Sequence, residues 1–109
     1  MGRLLPCLCL LLAACSSGGH DAVDANAPRI VSMSPALTEM VVELGGGRFI
    51  VGRSAFCQSV EAEVPVVGDL LNVHWEHLAR VHPTHVLVQT SEPMLDPSLR
   101  ALATRRGWR

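Results

Sequence analysis

The sequence predicts an α/β fold, in which a parallel β-sheet carries flanking helices. Two observations over residues 29–109 lead to this fold class. Short apolar runs alternate with segments whose apolar residues recur at helical spacing, and proline or glycine bounds most of these segments. Strands that alternate with helices in this way are typical of a parallel sheet with helices on both sides.

Residues 1–14 are predicted to be an export signal. Arg3 precedes an apolar run of nine residues, 4–12, and the small residues Ala13 and Ala14 come before Cys15. At about 1.5 Å per residue, a helix of this run is too short to cross a hydrocarbon core of about 30 Å. The pattern is that of a removable secretory signal.

The segment Leu12-Ala13-Ala14-Cys15 resembles the lipobox of bacterial lipoproteins. In that family the cysteine thiol takes a diacylglycerol, the chain is cut just before it, and the new amino terminus is acylated. The resemblance implies that Cys15 is lipidated and anchors the chain to a membrane. Residues 15–28, which are small and polar, then form a flexible tether, and residues 29–109 form the folded part. An ordinary signal peptide with an incidental cysteine is the alternative.

The cysteines predict a mature domain without an internal disulfide. Cys7 and Cys9 leave with the signal and Cys15 carries the lipid, so Cys57 is the one cysteine left in the folded part. We expect Cys57 to be a small, partly buried residue, with a reactive thiol as the alternative.

The first predicted strand covers residues 29–34. Ser34 is expected to cap the following helix and Pro35 to occupy its first position. Gly45, Gly46 and Gly47 end that helix, and because they do not open a helix after a strand, they are not a phosphate-binding loop. Four apolar residues at helical spacing predict the buried face: Leu37, Met40, Val41 and Leu44.

The middle of the chain predicts two strands and a second helix. The strands are residues 49–52 and, as a possible short strand, residues 64–67, followed by a turn at Gly68-Asp69. Asn72 is expected to cap a helix over residues 73–81, which Pro83 prevents from continuing. Its predicted buried face contains Trp75, Leu78 and Ala79.

The last predicted elements are a strand over residues 85–89, buried on both faces, and a helix that begins at Asp96-Pro97. Gly107 is a suitable C-terminal cap. The predicted buried side of this helix contains Leu99, Leu102 and Ala103. Because another strand should follow, we expect the chain to be an N-terminal fragment of a longer sheet.

A set of short motifs carries a family resemblance. In order, they are Arg29-Ile-Val-Ser-Met-Ser-Pro-Ala-Leu-Thr-Glu39, Leu44-Gly, Ile50-Val-Gly52, Phe56-Cys57, Pro65-Val-Val-Gly68-Asp69, Trp75-Glu76 and His82-Pro-Thr-His-Val-Leu-Val88. Together they resemble the cobalamin, haem and ferric-siderophore class of periplasmic substrate-binding proteins that feed ABC importers. Members of this class clasp their ligand between two α/β lobes joined by one long helix. The resemblance implies that this chain supplies most of the first lobe.

The resemblance also implies which residues bind the ligand. This agrees with the general rule that ligands of open α/β sheets bind outside the carboxyl ends of the strands. The candidates are Ser34, Pro35, Phe56, Leu70 and Gln89. Phe56 sits where cobalamin binders place an aromatic residue that stacks on the ligand. Core packing of Phe56 is the alternative. Leu70 and Gln89 fall where cobalamin-binding members can carry further aromatics, a departure that leaves a related ligand open.

Glu76 is the candidate for permease docking. In the family, a glutamate at the exposed start of this helix forms a salt bridge with an arginine of the permease. A carboxylate near a helix N-terminus is also stabilised by the helix dipole, which is the alternative reason for its presence.

The predicted function is that of a lipid-anchored substrate-binding protein on the periplasmic side of the bacterial cell envelope. Its expected partners are a corrinoid, haem or iron-chelate ligand, an ABC permease and the membrane. We expect no catalytic residue, resident cofactor or metal site. A net charge of −1 without a long basic run excludes a nucleic-acid-binding arm.

Two alternatives remain open. A cell-envelope metal or haem carrier would use four histidines, which are His74, His77, His82 and His85. A truncated enzyme on a similar scaffold is the second, although the sequence has no G-x-S-x-G elbow or paired carboxylates on one face.

Overall fold

A computed structural model of the chain describes residues 24–109 and contains a small parallel sheet with three helices. The predicted export signal, Cys15 and the start of the predicted tether lie outside these residues. The strands are β1 (Ile30–Ser32), β2 (Ile50–Arg53) and β3 (His85–Leu87), and the helices are α1 (Pro35–Glu43), α2 (Trp75–Arg80) and α3 (Pro97–Arg106). The predicted α/β fold with alternating strands and helices is confirmed. Within the described residues, no helix is long and apolar enough to span a membrane.

The sheet has the strand order β2-β1-β3, and both strand pairs are parallel. Its central residue, Val31, is fully buried and pairs with Gly52 on one side and Val86 on the other. A Cβ atom on Gly52 would lie 2.8 Å from Val67 Cγ1, so glycine lets the buried Val67 pack directly on β2. The buried apolar cluster consists of Val31, Met33, Val67, Leu78 and Leu99.

Helix α1 begins at the predicted proline, but two of the four residues predicted on its buried face are exposed. Met40 and Leu44 are 58% and 87% exposed, whereas Thr38 is fully buried. Threonine can occupy this position because its hydroxyl bonds to the Ser34 carbonyl one turn earlier, at 2.9 Å, as well as to neighbouring side chains. Ser34 occupies the N-cap position, but its side chain makes no capping bond, which corrects the predicted cap.

The segment between β2 and α2 differs from its prediction in two places. The predicted strand over residues 64–67 is only an isolated parallel bridge between Arg53 and Val66. Asn72 does not cap α2, because the helix begins at Trp75 after His74. The reason is the turn at Asp69, whose carboxylate accepts the amide N–H of Asn72 at 3.0 Å and holds this residue in the turn before the helix.

The last third of the chain follows local signals closely. The Asp96 carboxylate accepts the Ser98 amide N–H at 2.7 Å, which caps α3, and Gly107 ends the helix at φ +71°. Strand β3 is shorter than predicted, and its three residues are half-buried instead of buried on both faces. The C-terminal end of α2 is bonded to the residue before β1. The Arg29 guanidinium donates to the carbonyl oxygen of Val81, the C-cap of α2, at 2.8 Å.

Candidate functional site

The parallel sheet brings the predicted ligand-binding residues to one edge. Ser34 and Pro35 follow the carboxyl end of β1, Phe56 follows β2, and Gln89 follows β3. Leu70 follows the short bridge at Val66, which runs parallel to the end of β2. Because the carboxyl ends of parallel strands share one edge, all five residues lie in the loops of that edge. We call these loops the carboxyl edge.

The strand order indicates where along this edge a ligand would bind. Strand β2 is added to the sheet on one side of β1, and the chain then crosses back to add β3 on the other side. The direction in which strands are added therefore reverses between β1 and β3. Ligands of open α/β sheets bind at such a reversal, and a 2-1-3 order places it between β1 and β3. Ser34 and Gln89 lie in the two loops that flank this position.

Ser34 and Gln89 contact each other. The Ser34 hydroxyl donates to Gln89 Oε1 at 2.7 Å. Ser34 is buried, whereas Gln89 and Pro35 are exposed. The hydroxyl of Ser34 is therefore occupied in joining the two loops, and the exposed surface at this point comes from Gln89 and Pro35.

Phe56 projects from the loop after β2 and is 68% exposed. Among the described residues, Phe56 is therefore not part of the buried core. The loop backbone holds it in place, because the Phe56 amide donates to Ser54 Oγ at 3.3 Å and the Cys57 amide donates to the Ser54 carbonyl at 3.2 Å. An exposed aromatic ring on a bonded turn is a suitable surface for a flat apolar ligand.

A buried polar cluster, which no sequence pattern predicts, lies beneath the carboxyl edge. It consists of Ser32, Thr38, Ser54 and Cys57, each no more than 1% exposed. Thr38 Oγ1 lies 2.8 Å from Ser32 Oγ and 3.0 Å from Cys57 Sγ, and Ser54 Oγ lies 3.2 Å from the same sulfur. The cluster joins β1, α1 and the Phe56 loop. Cys57 is thus a buried free cysteine within this cluster, and burial does not favour the reactive-thiol alternative.

The sequence signal for this cluster is weak because serine and threonine are ordinary surface residues. Ser32 and Thr38 are six residues apart, and Ser54 and Cys57 belong to another loop. No helical or strand periodicity connects such positions, so only the tertiary structure brings them together.

Glu76 lies in the first turn of α2 with its side chain in solvent. Its carboxylate accepts a hydrogen bond from Arg80 at 2.7 Å, and the two side chains are 82% and 67% exposed. An exposed pair with this spacing contributes only about 0.3–0.5 kcal/mol. If the Glu76 carboxylate bonded to an arginine of another protein instead of Arg80, the chain would therefore lose little folding stability.

The four histidines divide between two places. The rings of His74 and His77 meet edge to face at the start of α2, with centroids 5.6 Å apart, and His77 Nδ1 lies 3.1 Å from the Val66 carbonyl oxygen. His82 and His85 lie before and at the start of β3, away from its carboxyl end. Within residues 24–109, no group of three or more His, Cys, Asp or Glu residues could hold a metal ion. The described residues therefore give no support to a metal carrier.

Comparison with known proteins gives two solved structures with a similar fold. No protein-family model matches the sequence, and no curated protein matches it. Among solved structures, the chain is similar to the periplasmic haem-binding protein HutB of Vibrio cholerae, with a TM-score of 0.61 and 25% identity over 76% of this chain. It is also similar to the periplasmic haem-binding protein RhuT from Roseiflexus sp. RS-1 in its apo form, with a TM-score of 0.60 and 25% identity over 74% of this chain.

The chain spans about a third of each of these proteins, 32% of HutB and 31% of RhuT. The fold neighbours are thus periplasmic haem-binding proteins, and they match the class that the sequence motifs resemble. Both neighbours are binding proteins, which supports a non-enzymatic role for this chain.

Proposed function

We propose that this chain forms the first lobe of a lipid-anchored, periplasmic substrate-binding protein that delivers its ligand to an ABC importer. The observation that carries this proposal is an exposed aromatic ring, Phe56, on the carboxyl edge of a fold shared with haem-binding proteins. Within the class, haem is the ligand that the structural neighbours favour, and a corrinoid or an iron chelate is the alternative.

In this proposal, the ligand lies across the carboxyl edge and its flat face packs against the Phe56 ring. A phenylalanine side chain that is 68% exposed has most of its surface available for burial. An aromatic residue buries roughly 150–250 Å² in total, and a ligand stacked on one face of the ring covers about half of the exposed part. At about 25 cal/mol per Å², this contact is worth about 1–2 kcal/mol.

Titration of the full-length protein with haemin, followed by its absorption spectrum, tests the ligand. We expect Phe56→Ala to weaken haemin binding by about 5- to 30-fold, which corresponds to a loss of about 1–2 kcal/mol. The matched control is Leu44→Ala, which removes another exposed apolar side chain, 87% exposed, at the end of α1 away from the carboxyl edge. Equal haemin affinity of Phe56→Ala and the unmodified protein would exclude the stacking role.

The same titration distinguishes the ligands of the class. A corrinoid and a ferric siderophore are titrated in parallel with haemin. Retention of one of these without haemin would keep the proposed class and change its ligand. Failure to bind any of the three would exclude the proposed function.

Glu76 is proposed to dock on the permease. This role rests on the exposure of its carboxylate at the start of α2 and on the small stabilisation that its pair with Arg80 provides. We expect Glu76→Ala to impair ligand uptake by cells and to leave haemin affinity unchanged. Glu92→Ala is the matched control, since Glu92 is also exposed and paired with an arginine, Arg100. Loss of haemin affinity in Glu76→Ala, or uptake equal to that of the control, would contradict the docking role.

A further inference from the structure

Arg53, the last residue of β2, holds the loop that carries Phe56. Its guanidinium donates to four backbone carbonyl oxygens of residues 54–64. These are Val64 at 3.0 Å, Ser54 and Cys57 at 3.3 Å each, and Ala62 at 3.5 Å. The Arg53 backbone adds two bonds, because its amide donates to the Pro65 carbonyl at 3.0 Å and its carbonyl accepts the Val67 amide at 2.9 Å. One residue therefore contacts both ends of the loop and two points within it.

The charge of Arg53 is satisfied by peptide carbonyls. Within the described residues, the two ion pairs are Glu76–Arg80 and Glu92–Arg100, and neither includes Arg53. Its side chain is half-buried at the base of the loop. A guanidinium has five N–H donors in a fixed planar arrangement, which allows it to bond to carbonyls in several directions at once.

The loop itself has little other structure. Residues 54–65 contain no helix and no strand, so the ordering of this backbone must be offset by bonds such as those of Arg53. Phe56 depends on the backbone for its position because its ring is largely in solvent and packs on little. The fixed position of the ring follows from the fixed position of the loop.

We propose that Arg53 is a positioning residue that fixes the 54–64 loop and thereby presents the Phe56 ring at the carboxyl edge. The function of the ring itself rests on the proposed function above, whereas the fixing of the loop does not. Lysine cannot replace Arg53 in this role, because its three donors share one nitrogen atom and cannot reach carbonyls spread along the loop.

Amide hydrogen exchange in the full-length protein tests whether Arg53 holds the loop. The probes are the amides of Cys57 and Val64, which donate to carbonyls within the loop. In Arg53→Lys, we expect both amides to exchange faster by about tenfold, the effect of losing a hydrogen bond to a charged donor. Arg106→Lys in α3, an exposed arginine, is the control, and the amide of Leu78 in α2 should not change in either variant.

Exchange at Cys57 and Val64 that stays the same in Arg53→Lys would overturn the proposal. Faster exchange at Leu78 as well would also overturn it, because it would show general loss of stability. Arg53→Gln, which replaces the guanidinium with a shorter, neutral amide that has two N–H donors, is the second variant and has the same expected result. It keeps the test decisive if the lysine variant does not fold.

A double-mutant cycle tests whether Arg53 acts through the Phe56 ring. We expect Arg53→Lys to weaken haemin binding several-fold in the unmodified protein and to have no further effect in the Phe56→Ala background. An equal loss in both backgrounds would show that Arg53 does not act through the ring. If the unmodified protein does not bind haemin, the proposed function fails, while the exchange result still decides whether Arg53 fixes the loop.

Discussion

The buried cluster beneath the carboxyl edge predicts the cost of removing a single hydroxyl. In Thr38→Val, a methyl group replaces a fully buried hydroxyl whose oxygen lies 2.9 Å from the Ser34 carbonyl oxygen, 2.8 Å from Ser32 Oγ and 3.0 Å from Cys57 Sγ. A hydroxyl has one hydrogen and two acceptor positions. Its single hydrogen can bond to only one of these three acceptors at a time.

The magnitude follows from what each partner keeps. Ser32 Oγ retains the Ser34 carbonyl at 3.2 Å, and Cys57 Sγ retains Ser54 Oγ at 3.2 Å. The Ser34 carbonyl also keeps the Thr38 amide at 3.0 Å. No partner is left without a bond, so each lost bond costs about 0.5–1.5 kcal/mol instead of the larger cost of an unpaired buried group. Because burial of the new methyl group offsets part of this cost, we expect a loss of about 2 kcal/mol.

Urea unfolding followed by circular dichroism measures this loss. At a slope of about 1–2 kcal/mol per M, the midpoint should fall by roughly 1–2 M. Thr104→Val is the matched control, because the Thr104 hydroxyl also donates to a carbonyl one turn earlier, that of Arg100 at 3.0 Å, but is exposed. The control should lose less than about 0.5 kcal/mol. Equal losses in the two variants would refute the reasoning, since burial of the cluster would then contribute nothing.

Two further predictions concern the turn before α2 and the amino terminus. Gly68→Ala should lose more than about 2 kcal/mol in the same assay, because φ is +97° and the new Cβ would overlap the Asn72 carbonyl oxygen and lie 2.8 Å from the His74 amide nitrogen. Gly45→Ala, at φ +81° with no atom within 4 Å of the new Cβ, should lose only about 1 kcal/mol; a similar loss in both would contradict the steric argument. Cys15→Ser should abolish incorporation of labelled fatty acid into the protein, and unchanged labelling would exclude lipidation of Cys15.

A helix with capping residues at both ends, such as α3, was predictable from the sequence. Asp96 and Pro97 start α3, and Gly107 ends it, because these residues act on the backbone within one helical turn. The start of α2 was not predictable in the same way. Asn72 has a side chain suited to a helix cap, but its backbone N–H bonds to the Asp69 carboxylate and places Asn72 in a turn before the helix. The sequence permits both a turn at Asp69 and a cap at Asn72, and only the tertiary structure shows which of them forms.

The position of the candidate site was predictable from the sequence, but the hydrogen bonds that join its loops were not. Its loops follow the strands in sequence, so a parallel sheet places Phe56 and Gln89 at one edge. The bond between Ser34 and Gln89, 55 residues apart, and the carbonyl contacts of Arg53 have no periodic signal. The partners of Ser34 and Arg53 are a distant side chain and backbone carbonyls. The residue type of Ser34 or Arg53 does not indicate where these partners lie.

The sequence by itself determined the alternation of strands and helices, the residues that begin and end α3, and the loops that reach the carboxyl edge. These features depend on backbone preferences and apolar spacing that act over a few residues. Only the tertiary structure decided that α1 buries Thr38 while Met40 and Leu44 face solvent, and that Arg53 holds the Phe56 loop. The physical reason is that a polar group can be buried wherever its hydrogen bonds are satisfied, and the atoms that satisfy them come from distant parts of the chain.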